Sequence, residues 1–140
     1  MAKITVLQLR KKHACKDQRR DFIKTFGREV ELTEEVARGN ALVFDMEWAA
    51  ENLLDRSVFV EYRHASQWAW REYDHETEQH RLTRVAATSK LGADCSDEQW
   101  KAVWDRYDDA VHPAWKRMRE AEALAFAKAY NDERNAERWP

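Results

Sequence analysis

Turn residues are nearly missing from this 140-residue chain, which holds three glycines (Gly27, Gly39, Gly92) and two prolines (Pro113, Pro140). A β-sandwich or barrel needs frequent turns, so both are excluded and an all-α fold is expected. Cysteine is also scarce. Cys15 and Cys95 stand far apart and form no C-x-x-C pair, so a reduced, cytosolic setting fits them as core or cap residues, with one disulfide as the alternative. No apolar run approaches the 18 or so residues that span a bilayer, and the opening MAKITVLQLRKK holds no apolar stretch of secretory length. A cytoplasmic protein without a membrane span is expected.

The same scarcity removes familiar enzyme signatures. Three scattered glycines cannot form G-x-G-x-x-G or a Walker loop. The histidines at 13, 64, 75, 80 and 112 include no H-E-x-x-H, and no Ser or Cys sits in a recognisable nucleophile motif. No catalytic residue and no cofactor is assigned.

What is present is charge and tryptophan. Charged residues make up 36% of the chain, hydrophobic ones 44%, and there are seven tryptophans. That apolar share argues against disorder, and the combination implies narrow apolar stripes on helices with wet outer faces. The net charge of −2 hides an asymmetry: residues 1–30 carry nine Lys/Arg against three Asp/Glu, and the rest carry fifteen against twenty-three. A basic head faces an acidic remainder.

Along the chain, Thr5-x-x-Gln8 can box the start of a short first helix. A second helix is expected over Lys16 to Phe26, with Gly27 ending it and Cys15, Phe22, Ile23 and Phe26 as its apolar stripe. An extended stretch at 29–32 follows, then helices capped by Thr33 and Asp45. Between Gly39 and Gly92 lies neither Gly nor Pro, leaving a long helix from about Ser57 to Ala87 unobstructed. A loop at 88–96 leads to the Ser96–Gln99 box and a last segment to about Asn131, which Pro113 should kink or divide. The expected layout is short N-terminal helices in a subdomain 1–56, a long antiparallel helical hairpin 57–131 and a tail 132–140, together one compact unit.

The hairpin segments contain an 11-residue packing repeat. Tyr62, Ala65, Ala69, Trp70 and Tyr73 are matched by Tyr107, Ala110, Ala114, Trp115 and Met118. Eleven residues in three turns is close to a straight helix, so the stripe stays on one side. Trp70, Trp104, Tyr107 and Trp115 are expected to be largely buried.

Glu61-x-x-His64 and Glu72-x-x-His75 have the spacing of metal-binding pairs in helical bundles. Such sites draw their pairs from different helices, whereas both pairs here sit on one, so the repeat explains them and no metal site is assigned.

Binding is expected from the basic head. Lys16, Arg20 and Lys24 recur every fourth residue, with Arg19 beside them, Arg10, Lys11 and Lys12 upstream and Arg28 downstream. Like charges at this spacing repel. Phosphates of nucleic acid, an acidic partner protein or the chain's own acidic body could offset them. Trp68 and Trp70 lie about 200° apart on a helix. Either both sides are covered or one indole is an anchor for a partner, and Trp68 joins the candidates. Leu124, Phe126 and Tyr130 among alanines make the last helix apolar all round, so a homodimer through residues 115–130 is expected to cover it.

The segments ACKDQRRDFIKTFG (14–27), VELTEE (30–35) and FDMEWAAENLL (44–54), the EYxxAxxxAW units and AFAKAYN (125–131) resemble a group of small uncharacterised bacteriophage accessory proteins. The resemblance implies a phage origin, the host cytoplasm as the setting and no enzymatic activity. It gives the leading expectation: a non-enzymatic interaction protein that binds and modulates a host protein or ribonucleoprotein, inhibition of a host defence nuclease complex being one form. The alternatives are a nucleic-acid-binding protein using the basic helix 10–28 and, third, a metal-dependent helical-bundle enzyme.

Overall fold

Local side-chain caps set where most of the helices begin. A computed structural model describes residues 2–137. Thr5 Oγ1 accepts from the Gln8 N–H, and Gln8 Oε1 accepts from the Thr5 N–H, opening α1 (Val6–Lys11). Cys15 and Gln18 repeat the device for α2 (Lys16–Phe26), with the thiol sulfur as acceptor. Thr33 caps α3 (Glu34–Gly39), and Asp45 caps α4 (Met46–Leu53). α5 (Arg56–Leu91) follows, and Ser96 with Gln99 boxes the start of α6 (Asp97–Glu137). Gly27 ends α2 at φ 78°, ψ −139°, a conformation that a Cβ would strain.

The only strands among the described residues are β1 (Lys3–Thr5) and β2 (Glu29–Glu31), antiparallel with Ile4 opposite Val30. The protein is therefore all-α with one small ribbon. Pro113, expected to kink or divide the last segment, lies inside one 41-residue helix. A proline removes one helix donor, and the buried neighbours Val111 and Ala114 hold the backbone on both sides.

The chain forms two compact units, Met1–Gln67 with Arg119–Pro140, and Trp68–Met118. The division falls inside both long helices. Residues 132–137 of the expected tail continue α6, with Glu133 buried, and 138–140 lie outside the described residues.

In the first unit the N-terminal elements wrap the end of α6. Ala123, Phe126, Ala127 and Tyr130 are at most 1% exposed and join one core with Phe22, Leu32, Ala50 and Leu53. Asn131 ties this end down, donating to the Leu32 carbonyl at 2.8 Å and accepting from the Ala2 N–H at 2.9 Å. Of the face expected to need a second copy over 115–130, Ala123, Phe126, Ala127 and Tyr130 are buried within the chain itself, whereas Leu124, Ala125 and Ala129 stay partly exposed. Phe22 and Leu32 of the N-terminal elements share this core with α6. Beside that core Ser66 donates to buried Glu122 at 2.7 Å, and the Arg119 guanidinium lies 3.6 Å from the other Glu122 oxygen.

In the second unit α5 and α6 form the antiparallel hairpin. Trp70 and Tyr73 meet Trp115, while Arg84, later in α5, lies over the rings of Trp104 and Tyr107, earlier in α6. An Arg117–Glu76 ion pair bridges the two helices. The seam itself is built from Ala69, Thr77, Val111, Ala114 and Met118. Trp104, Tyr107 and Trp115 are half-buried, and Trp70 is 36% exposed, against the expectation of burial for all four. Two helices that meet on alanine approach too closely for an indole between them, so the rings flank the seam.

Candidate functional site

α1 and α2 are joined through a tight turn in which His13 takes φ 63° and the Ala14 N–H donates to the Leu9 carbonyl at 2.9 Å. The turn lays the two helices side by side. Phe22 and Phe26, one turn apart on α2, face inward and meet Phe44. That rotation fixes what faces out. Lys16, Arg19, Arg20, Ile23 and Lys24 follow the i, i+3, i+4, i+7, i+8 spacing of one helix face. With Val6, Leu7 and Arg10 of α1 they line an open groove of about 650 Å³.

The groove has an apolar floor and a cationic rim. Leu7 is 57% exposed and Ile23 48%. Ile23, expected in the core stripe, is therefore a surface residue, because it lies about 100° around the helix from Phe22. Cys15 of the same stripe is exposed as well. Arg20 forms exposed ion pairs with Asp17 at 3.4 Å and Asp21 at 3.8 Å, contacts worth little in solvent. Among the described residues no ion pair within 4.0 Å engages Arg10, Lys16, Arg19 or Lys24, and Arg19 Nε is buried with no hydrogen-bond partner. These cations are not spent on the acidic body.

Five of the nine candidate residues thus come together: Arg10, Lys16, Arg19, Arg20 and Lys24. Lys11 and Lys12 line a separate depression with Asn52, Asp55 and Glu133. Arg28 is exposed outside the groove and offers its carbonyl to the Val6 N–H. Trp68 belongs to the second unit, where it is 63% exposed. Sequence reasoning missed Val6, Leu7 and Ile23 as site residues, reading Ile23 as part of the core stripe.

A second concavity, a partly open cavity of about 190 Å³, lies in the first unit among Phe22, Phe26, Phe44, Met46 and Trp48. Several of its polar groups already serve the fold: Asp45 caps α4, Gln18 boxes α2, and Asn40 donates to the Val36 carbonyl. The described residues bring together no group of three His, Cys, Asp or Glu that could hold a metal, the E-x-x-H pairs included. No helix of the described residues is long and apolar enough to cross a membrane.

Comparison with family models, with curated proteins and with solved structures returned no match. The class that fold and groove define is an all-α protein with a long helical hairpin and a cationic groove between its two N-terminal helices.

Proposed function

We propose that this protein is a non-enzymatic interaction module that grips an acidic macromolecule through the α1–α2 groove. The observation that carries the reading is the groove itself: five cations on its rim, four of them without an ion pair among the described residues, around apolar side chains left in water. Unpaired like charges on one face repel, and an anionic partner relieves that repulsion while steering its own approach. In the setting implied by the resemblance to phage accessory proteins, the partner is a host macromolecule whose activity is modulated by occupancy.

The test is capture from host lysate with wild type and with a Lys16→Glu, Arg20→Glu, Lys24→Glu variant. All three residues are exposed, so the variant should keep wild-type far-UV helicity. A partner retained by wild type, released by salt and absent with the variant supports the reading. Equal capture by both proteins contradicts it.

A further inference from the structure

We propose that the occupant of the groove is an acidic amphipathic helix of a partner protein, not the backbone of a nucleic acid. This rests on the function proposed above and specifies its ligand. Three observations converge on it.

The groove floor is apolar. A phosphate backbone has nothing to place on Val6, Leu7 and Ile23, and nucleic-acid interfaces are polar and strongly cationic throughout. A helix with a leucine stripe removes those side chains from water, the helix-in-groove mode of recognition.

The dimensions fit. From Lys16 to Lys24 the cationic face of α2 rises about 12 Å at 1.5 Å per residue, which matches two turns of an incoming helix. Side chains of two helices, α1 and α2, frame the floor, so an apolar stripe of i, i+3, i+4, i+7 spacing has contacts on either side.

The charge is complementary in pattern as well as sign. Lys16, Arg19, Arg20 and Lys24 surround Ile23 on α2, and Arg10 stands beside Leu7 on α1. Carboxylates flanking a leucine stripe would meet cations on both sides of the floor.

The experiment is fluorescence anisotropy with the full-length protein and labelled probes. One probe is a synthetic helix of about four turns carrying leucine at i, i+3, i+4 and i+7 with glutamate on the flanks. The second has the same composition with the leucines scattered so that no stripe forms. The third and fourth are single-stranded and duplex DNA of equal charge. The variants are Leu7→Ser with Ile23→Ser, and the triple Glu reversal. The patterned peptide should bind at least about tenfold more tightly than the scattered one, and the Leu7→Ser, Ile23→Ser variant should lose about tenfold for it. Circular dichroism verifies that each variant is folded, as the exposure of both side chains leads one to expect. No binding of the patterned peptide, equal binding of both peptides, or tighter DNA binding that ignores the Leu7 and Ile23 changes would each overturn the proposal. DNA binding abolished by the charge reversal would leave the acidic-macromolecule reading standing. Binding of every probe unaffected by the reversal would sink both.

Discussion

The Tyr130 hydroxyl, near the end of α6, donates to the Lys3 carbonyl at 2.8 Å and accepts from Gln8 Nε2 at 3.1 Å. One phenol thus joins β1, α1 and α6 across 127 residues of sequence. Its ring is 1% exposed and packs on Phe126. Tyr130→Phe keeps the ring and should cost about 1–2 kcal/mol by stranding both partners. Tyr130→Ala should cost about 3–5 kcal/mol through the cavity it opens. Urea unfolding followed by far-UV circular dichroism measures both; an unchanged stability in Tyr130→Phe would mean that the hydrogen bonds contribute nothing.

The two alanines of each repeat unit differ in kind. Ala114 is 7% exposed in the seam, whereas Ala110 is exposed; the same holds for Ala69 and Ala65. Overpacking at Ala114→Leu should destabilise by about 1–3 kcal/mol. Ala110→Leu should stay within about 0.5 kcal/mol of wild type. A melting comparison of the two variants decides whether the seam runs through Ala69 and Ala114 and not through Ala65 and Ala110.

Burial raises the Glu133 carboxyl above its ordinary value of 4.5, opposed by the Asp55 N–H that both its oxygens accept. A carboxyl with a raised folded value binds more protons folded than unfolded. Its contribution to stability is therefore greatest at low pH and declines as pH rises from about 4.5 through the folded value. Glu133→Gln lacks that decline. The stability of wild type minus that of the variant should fall between pH 4 and pH 7, read from urea midpoints; a flat difference would mean that the carboxyl is not shifted.

His13 holds φ 63° in the turn that sets α1 beside α2. A residue with a Cβ pays about 1–2 kcal/mol for that conformation. Glycine removes that strain, and the greater freedom it gives the unfolded chain offsets part of the gain. His13→Gly should raise stability by about 0.5–1 kcal/mol without altering the groove. Thermal unfolding tests it, and a lower melting temperature would show that the His13 side chain contributes more than the turn costs.

Much of this fold was legible in the sequence where the physics is local. Thr5, Thr33, Asp45 and Ser96 cap helices through bonds that reach three residues, so spacing alone reveals them. The basic face of α2 was legible for the same reason, as Lys16, Arg20 and Lys24 obey the helical period. What escaped depends on contacts far apart in the chain. β1 is three residues long and exists through pairing with β2 some 25 residues on. Ile23 reads as core beside Phe22, and only the docking of Phe22 and Phe26 against Phe44 turns it outward. The covering of Phe126 and Tyr130 by the N-terminal elements is likewise non-local.

Site-specific photo-crosslinking tests the central claim most directly. A photoreactive amino acid replaces Ile23 in one protein and Trp68, the most exposed tryptophan of the second unit, in another. Both are irradiated in bacterial cell lysate, and the Ile23 protein is repeated with Lys16, Arg20 and Lys24 reversed to Glu. The groove account predicts a discrete adduct from position 23 that disappears with the charge reversal, and none of matching mass from position 68. An adduct formed from position 68 alone, with position 23 silent, would contradict it and move the binding surface to the hairpin.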